Sequence, residues 1–251
     1  MKKCAVYSVS CQVGLSDVDF SGRLRLSGLF DYLQDAATQA AAEQLRSEMK
    51  LLDDLGLARV VLRMRADVVR YPVWDEAVTV STWLLPASKY EFERHSLVLD
   101  AAGEPVARAV ATWALIDTKK RRLRRCDQIA QINFAAGERA IDSRLRKLQS
   151  PAGELVPVYQ RNIGYSDIDL NGHLNNSRYV DFVMDCFRIE DHRRYQATSI
   201  EINFVNEALP RDTILLRKEA AHADGGSIYV EGVNEAQDQV VFRSLLHIVP
   251  R

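Results

Sequence analysis

Apolar positions along the chain follow two periods that return in the same order. Leu29, Leu33, Ala36, Ala37, Ala40 and Ala41 recur at helical spacing and form a face of small residues. Residues 78–84, 90–99 and 106–116 are rich in β-branched and aromatic side chains and predict strands, the last two joined by an Ala101-Ala102-Gly103-Glu104 turn. Further on, Tyr179, Phe182, Val183, Cys186 and Phe187 predict a second helix with a bulkier face. Residues 214–219, 227–233 and 240–249 predict its strands, connected through Asp224-Gly225-Gly226 and residues 234–238. An apolar strand and a Ser-Asp-x-Asp-x-x-Gly turn precede each helix, and Ser27 and Ser177 stand where N-caps are expected. One helix followed by antiparallel strands, given twice, predicts an α+β fold rather than βαβ units.

Direct comparison of the halves makes the repeat explicit. Residues 14–24 lie against 164–174 at an offset of 150 without a gap, pairing Gly14, Ser16, Asp17, Asp19, Gly22 and Leu24 with Gly164, Ser166, Asp167, Asp169, Gly172 and Leu174. The match runs on through Ser27/Ser177, Asp31/Asp181 and Tyr32/Phe182. Residues 67–80 then answer 203–216 at an offset of 136, so the first copy holds 14 extra residues, expected around 41–60. Two tandem domains over 1–130 and 154–251 follow, with 131–153 as the connector. Ala135-Ala136-Gly137-Glu138 and residues 148–154 read as linker, with a short helix expected in the charged stretch between them.

Composition narrows the classes. The 251 residues carry 33 Lys+Arg against 34 Asp+Glu, a formal net charge of -1, with 47% hydrophobic residues. That balance fits a globular protein and argues against a disordered chain or a basic nucleic-acid coat. The first eight residues lack the apolar core of a secretory signal, and no apolar run approaches membrane-spanning length. Cys4, Cys11, Cys126 and Cys186 have no metal-ligand spacing and read as free thiols of a cytoplasmic protein. No P-loop, dinucleotide fingerprint, zinc-protease motif or nucleophile elbow is present, so no metal or cofactor is expected.

The copies disagree where chemistry would sit. Ser21 becomes Asn171, Arg23 becomes His173, and Arg25-Leu26 becomes Asn175-Asn176. Asp167, Asp169, Asn171, His173, Asn175 and Asn176 therefore crowd into ten residues, more polar chemistry than a turn requires. An imidazole can move a proton near neutral pH, a carboxylate can orient it or a water, and an amide can donate to a developing oxyanion. In an extended stretch Asp169, Asn171 and His173 would share one face.

The run from Asp167 to Tyr179 resembles the Asp-x-Asp-x-Asn-x-His-x-Asn-Asn-x-x-Tyr signature of the acyl-acyl-carrier-protein thioesterases, plant plastid enzymes and their bacterial relatives. Asp17-Val18-Asp19, residues 30–37, Arg70-Tyr71-Pro72-Val73-Trp74 and Trp113-Ala114-Leu115-Ile116-Asp117 are similar to the family pattern as well. The resemblance implies a double hotdog, each copy a long helix wrapped by a curved antiparallel sheet. It also implies hydrolysis of the thioester joining a fatty acyl chain to the phosphopantetheine arm of acyl carrier protein. The family's catalytic residues carry over onto Asp169, Asn171, His173 and Glu207, with Glu207 and His173 activating water, Asn171 positioning it and Asp169 fixing the constellation. A backbone N–H at the start of a helix over 176–187 is expected to polarise the carbonyl. Plant relatives usually carry cysteine after that glutamate; this chain has Ala208, which favours water attack over a cysteinyl intermediate. Tyr71 answers Glu207, so the first copy is catalytically degenerate.

Lys119, Lys120, Arg121, Arg122, Arg124 and Arg125 place six positive charges in seven residues. They read either as a solvated connector or as a contact for the acidic carrier protein the resemblance implies. No nucleic-acid motif accompanies them. His95, His192, His222 and His247 read as single strand or surface histidines. An acyl-coenzyme A thioesterase and a non-catalytic acyl or carrier-protein binding module are the alternatives. Two copies in one chain are compatible with a monomer or a homodimer.

Overall fold

The computed structural model describes residues 3, 4, 6–126, 133, 134, 138–219 and 226–251. Cys4's side chain, Ala135-Ala136-Gly137 of the connector, His222 and Asp224-Gly225 lie outside the described residues. The chain divides into two compact units, Met1–Arg25 with Asp31–Leu145 and Leu26–Phe30 with Arg146–Arg251.

In the first unit β1 (Lys3–Cys4) pairs in parallel with β8 (Asn133–Phe134). The main sheet joins β2 (Tyr7–Gln12), β4 (Ala77–Leu84), β5 (Glu91–Asp100), β6 (Pro105–Asp117) and β3 (Leu57–Val68) in that spatial order, all antiparallel, and β7 (Arg122–Arg124) hairpins back onto β6. Alternating burial along β4 is what a strand with one packed face shows. Helix α1 (Leu26–Gln44), whose residues through Phe30 belong to the second unit, buries Leu29, Leu33, Ala36, Ala40 and Ala41 of the face that helical spacing predicts, and Phe30 besides, with Ala37 half-buried. Each of the large members is worth about 1.5–3 kcal/mol of burial. Leu45 breaks the helix, and α2 (Arg46–Asp54) continues with Leu52 in a cluster that includes Leu57, Leu84, Phe92 and Leu115.

The second unit orders β10 (Tyr195–Phe204), β13 (Gln239–Pro250), β12 (Gly226–Asn234), β11 (Thr213–Glu219) and β9 (Leu155–Asn162), again antiparallel throughout. Helix α3 (Asn176–Met184) is half the length of α1 and is followed by α4 (Ile189–Arg194). The extra residues of the first copy thus lie in its helical segment. Tyr179 on α3 meets Phe204 and Phe242 edge-on at 5.2 and 5.3 Å. Gly232 allows β12 to pass close to Phe242: a Cβ there would stand 2.2 Å from the ring.

Three local expectations are corrected. No helix forms in the described part of 138–150; instead sheet side chains satisfy the backbone and charges of that segment. In the first unit Trp83 Nε1 donates to the Glu138 carbonyl at 3.0 Å, Ala140 N–H donates to His95 Nδ1 at 3.1 Å, and Arg139 pairs with Glu93 at 2.6 Å. In the second, Leu148 N–H donates to Asn203 Oδ1 at 2.7 Å. His95 is a strand histidine, as expected, and is fully buried on β5, whereas His192 sits on α4, not a strand. The N-caps are Arg25 and Asn175; Ser27 and Ser177 lie buried in the first helical turns. Among the described residues no helix is long and apolar enough to cross a membrane.

Candidate active site

The polar run of the second unit folds as a turn held by two aspartates. Asp167, 4% exposed, accepts from Gly164 N–H at 2.9 Å and from Arg161 at 3.2 Å, while its carbonyl accepts from Asn175 N–H at 2.9 Å. Asp169 Oδ1 accepts from the N–H groups of Asn171 and His173 at 2.8 and 3.2 Å, and its N–H donates to the His173 carbonyl at 2.8 Å. Asn171 Nδ2 closes onto Asp169 Oδ2 at 3.2 Å. Gly172 takes φ 79, a left-handed value that glycine adopts without a Cβ clash, and its N–H reaches the Asp169 carbonyl at 3.0 Å. Asp169, Asn171 and His173 therefore converge through a turn. The extended backbone that would have aligned them by alternation is absent, because Asp169 captures the following N–H groups.

Glu207 arrives from the loop after β10. Leu174 N–H donates to the Ala208 carbonyl at 3.0 Å, which ties that loop to the turn. The Glu207 Oε2 to His173 Nε2 separation is 3.5 Å, with the side chains 40% and 36% exposed. This is ion-pair range, longer than a tight hydrogen bond and open to solvent on one side. The pair can hold and pass a proton, and a carboxylate backing an imidazole is suited to drawing a proton from water.

Tyr179 is a supporting residue that pattern reading placed only in the helix core. It is buried, and a backbone hydrogen bond links it to Ala208. Burial, with the nearby Glu207 and Asp169 charges adding to it, pushes its phenol well above the ordinary value and keeps it neutral. A tyrosine in an otherwise apolar helical face, three residues after the polar run that ends at Asn176, was the available signal.

Asn175 caps α3, its Oδ1 accepting from Ser177 N–H at 3.1 Å and its carbonyl from Arg178 N–H at 2.9 Å. Those two first-turn donors are thus occupied, which narrows the expected backbone oxyanion site. Cys186 is buried and burial raises its thiol to about 12; Cys11 is also raised, and Cys126 is buried. Ala208 stands fully buried after Glu207. Among the described residues no group of three or more His, Cys, Asp or Glu could hold a metal ion.

The first unit builds the same turn without the same chemistry. Asp19 accepts from the N–H groups of Ser21 and Arg23 at 2.7 and 3.4 Å, Gly22 has φ 73, and Leu24 N–H donates to the Pro72 carbonyl at 2.8 Å. Ser21, Arg23 and Tyr71 occupy the places of Asn171, His173 and Glu207. Elsewhere in this unit, residues 119–125 lie exposed where β6 turns into β7, with Arg121 at φ 53 and the Lys119 and Lys120 N–H groups on Asp117.

Comparison with known proteins gives concordant results. The model of the acyl-ACP thioesterase N-terminal domain matches residues 5–131, and that of the acyl-ACP thioesterase C-terminal domain matches residues 158–245. The chain is 28% identical over 166 residues to acyl-[acyl-carrier-protein] hydrolase FATB3, chloroplastic, of Cuphea viscosissima, covering 62% of this chain and 39% of that protein. It is 26% identical over 186 residues to the chloroplastic palmitoyl-acyl carrier protein thioesterase of Arabidopsis thaliana, covering 71% and 45%. The chain thus aligns with less than half the length of these relatives. Among solved structures, an acyl-ACP thioesterase from Bacteroides thetaiotaomicron gives a TM-score of 0.79 at 22% identity, covering 97% of each chain. The 12:0-ACP thioesterase from Umbellularia californica gives 0.81 at 19%, covering 98% of this chain and 94% of that one. At such identities the structural likeness shows the fold, two hotdog domains in tandem.

Proposed function

The chain belongs to the acyl-ACP thioesterase family, and from that premise we propose that its second unit hydrolyses the thioester of a fatty acyl-acyl carrier protein to free fatty acid. The observation that carries this reading is the 3.5 Å approach of His173 Nε2 to Glu207 Oε2 beside a turn organised by Asp169. Glu207, assisted by His173, takes a proton from water as the water oxygen bonds to the acyl carbon. Asn171, held by Asp169, positions the water or the thioester carbonyl. Collapse of the tetrahedral intermediate breaks the C–S bond, and the proton passes to the departing phosphopantetheine thiolate. Ala208 after the glutamate and the buried, raised Cys186 thiol support direct attack by water over a cysteinyl intermediate.

In the same reading the exposed basic hairpin of the first unit, Lys119, Lys120, Arg121, Arg122, Arg124 and Arg125, contacts the acidic carrier protein. The domain boundaries 1–130 and 154–251 and a cytoplasmic setting for the free thiols belong to this proposal. The test is hydrolysis of matched acyl-carrier-protein and acyl-coenzyme A thioesters by the purified chain. Faster release from the carrier-protein ester is expected, with KM rising about tenfold on charge reversal at Arg122, Arg124 and Arg125 and the effect shrinking in high salt. Full turnover after Glu207→Ala together with His173→Ala would overturn the mechanism. Tight binding without release would leave a binding module.

A further inference from the structure

The Glu207 side chain is 40% exposed on a loop, so its 3.5 Å approach to His173 depends on the backbone that carries it. Ala208, the next residue, is held at both of its backbone polar groups. Its carbonyl accepts from Leu174 N–H at 3.0 Å. Its N–H meets no backbone acceptor among the described residues, and Ala208 is fully buried, where an unmade N–H bond is costly. The partner is the phenol oxygen of Tyr179, and this bond opposes the effect of burial on the phenol, as a donor to the phenolate oxygen does. The Tyr179 ring is itself set edge-on against Phe204, the last residue of β10, and Phe242 of β13, at 5.2 and 5.3 Å.

The first copy keeps one of these two bonds and lacks both parts of the other. Leu24 N–H donates to the Pro72 carbonyl at 2.8 Å, as Leu174 does to Ala208. Proline, however, has no N–H, and Leu29, in the place of Tyr179, has no hydroxyl. Donor and acceptor are thus present together in the copy that carries Glu207 and absent together from the copy that carries Tyr71. Closing the turn does not require them. We infer that Tyr179 is a positioning residue: its hydroxyl oxygen, by holding the Ala208 N–H, fixes the loop so that the Glu207 carboxylate faces His173 Nε2. For its catalytic consequence this inference rests on the proposed reaction. A phenol suits the task because it accepts the N–H bond while staying uncharged near Glu207 and Asp169. Leucine would leave the buried N–H unmet, and an anionic acceptor would repel both carboxylates.

The test uses Tyr179→Phe, which removes one oxygen and keeps the ring, and Ala208→Pro, which removes the N–H as the first copy does. Each is expected to lower kcat for the acyl-carrier-protein ester about tenfold while KM stays within about twofold. The double variant should lose no more than either single one, because both break the same bond. Amide exchange followed by NMR is measured on the same whole chains. The Ala208 N–H of Tyr179→Phe should exchange at least about tenfold faster than in wild type, with the β10 amides unchanged. A kcat for Tyr179→Phe within about twofold of wild type would overturn the inference, as would losses that multiply in the double variant or a rise in KM alone. If Tyr179→Phe fails to fold, Ala208→Pro decides by the same kcat criterion. Absence of wild-type turnover on any thioester would refute the proposed reaction, and amide exchange would then decide the clamp. Faster exchange at Ala208 would uphold the hold on the Glu207 loop, and unchanged exchange would overturn it.

Discussion

The turns of the two units share their backbone hydrogen bonds and little of their side-chain chemistry. Asp19 and Asp169 gather the same N–H groups, Gly22 and Gly172 take the same left-handed φ, and Leu24 and Leu174 donate to Pro72 and Ala208. What a turn needs in order to close is present twice. Asn171, His173 and Glu207 appear once, so they are not required by closure. The supports differ in a linked way too. Asp17 accepts from the Tyr32 hydroxyl at 2.7 Å, whereas Asp167 accepts from Arg161, whose guanidinium lies 4.6 Å from the centre of Phe182, the residue in Tyr32's place. Arg161 itself answers Cys11. A neutral donor on the helix has been exchanged for a cation on the strand, and each aspartate keeps a partner.

The largest effect expected from this comparison lies in the chemistry. Glu207→Gln or His173→Ala should lower kcat for the acyl-carrier-protein ester by a factor of about 10² to 10⁴, with an unchanged circular dichroism spectrum. Equivalent changes at Tyr71 or Arg23 should leave turnover within about twofold; a matching loss there would erase the distinction between the units. Next comes the support. Arg161→Met strands the buried Asp167 carboxylate and should cost about 2–3 kcal/mol, against about 1 kcal/mol for Tyr32→Phe in the first unit, read from urea midpoints. Equal costs would show that the two partners are interchangeable.

A graft gives a smaller effect. Ser21→Asn, Arg23→His and Tyr71→Glu together should change stability by no more than about 1 kcal/mol, because the closing hydrogen bonds are backbone and aspartate bonds. A drop of several kcal/mol would mean that the turn selects its polar residues after all.

The smallest effect is an acid-side one in the first unit. The Glu93 carboxylate is held below its ordinary 4.5, first by its hydrogen bond to His95 and then by Arg139, against the opposing effect of burial. A folded pKa below the unfolded one adds stability above the ordinary value, and that contribution is lost as pH falls through the folded one. Melting curves from pH 6 to 3 should therefore show wild type losing its advantage over Glu93→Gln below about pH 4. A gap that widens there would reverse the assigned direction.

Much of the fold was readable because it rests on local rules. The period of α1, the alternating strands and the Asp-x-Asp-x-x-Gly turns all appear where spacing predicts them, and the offset of 136 between Pro72 and Ala208 returns as paired hydrogen bonds to Leu24 and Leu174. Errors arose where a side chain answered to a distant partner. Ser177 looked like a cap until Asn175 took that role, and the strand position of His95 was legible while its burial under the segment at 138–140 was not. The charged stretch before residue 150 carries helix-forming residues, yet its polar groups are claimed by Trp83, His95, Glu93 and Asn203.

By itself the sequence determined that one architecture is built twice and that only its second copy carries amide, imidazole and carboxylate chemistry. Periodicity and glycine placement act over a few residues and need nothing further. Tertiary structure alone decided that Glu207 faces His173 and that the segment at 138–140 closes over His95. The first depends on the hydrogen bond from Leu174 to Ala208, and the second on Trp83 and His95 taking up backbone groups of Glu138 and Ala140, partners far away in sequence that no local rule could have named.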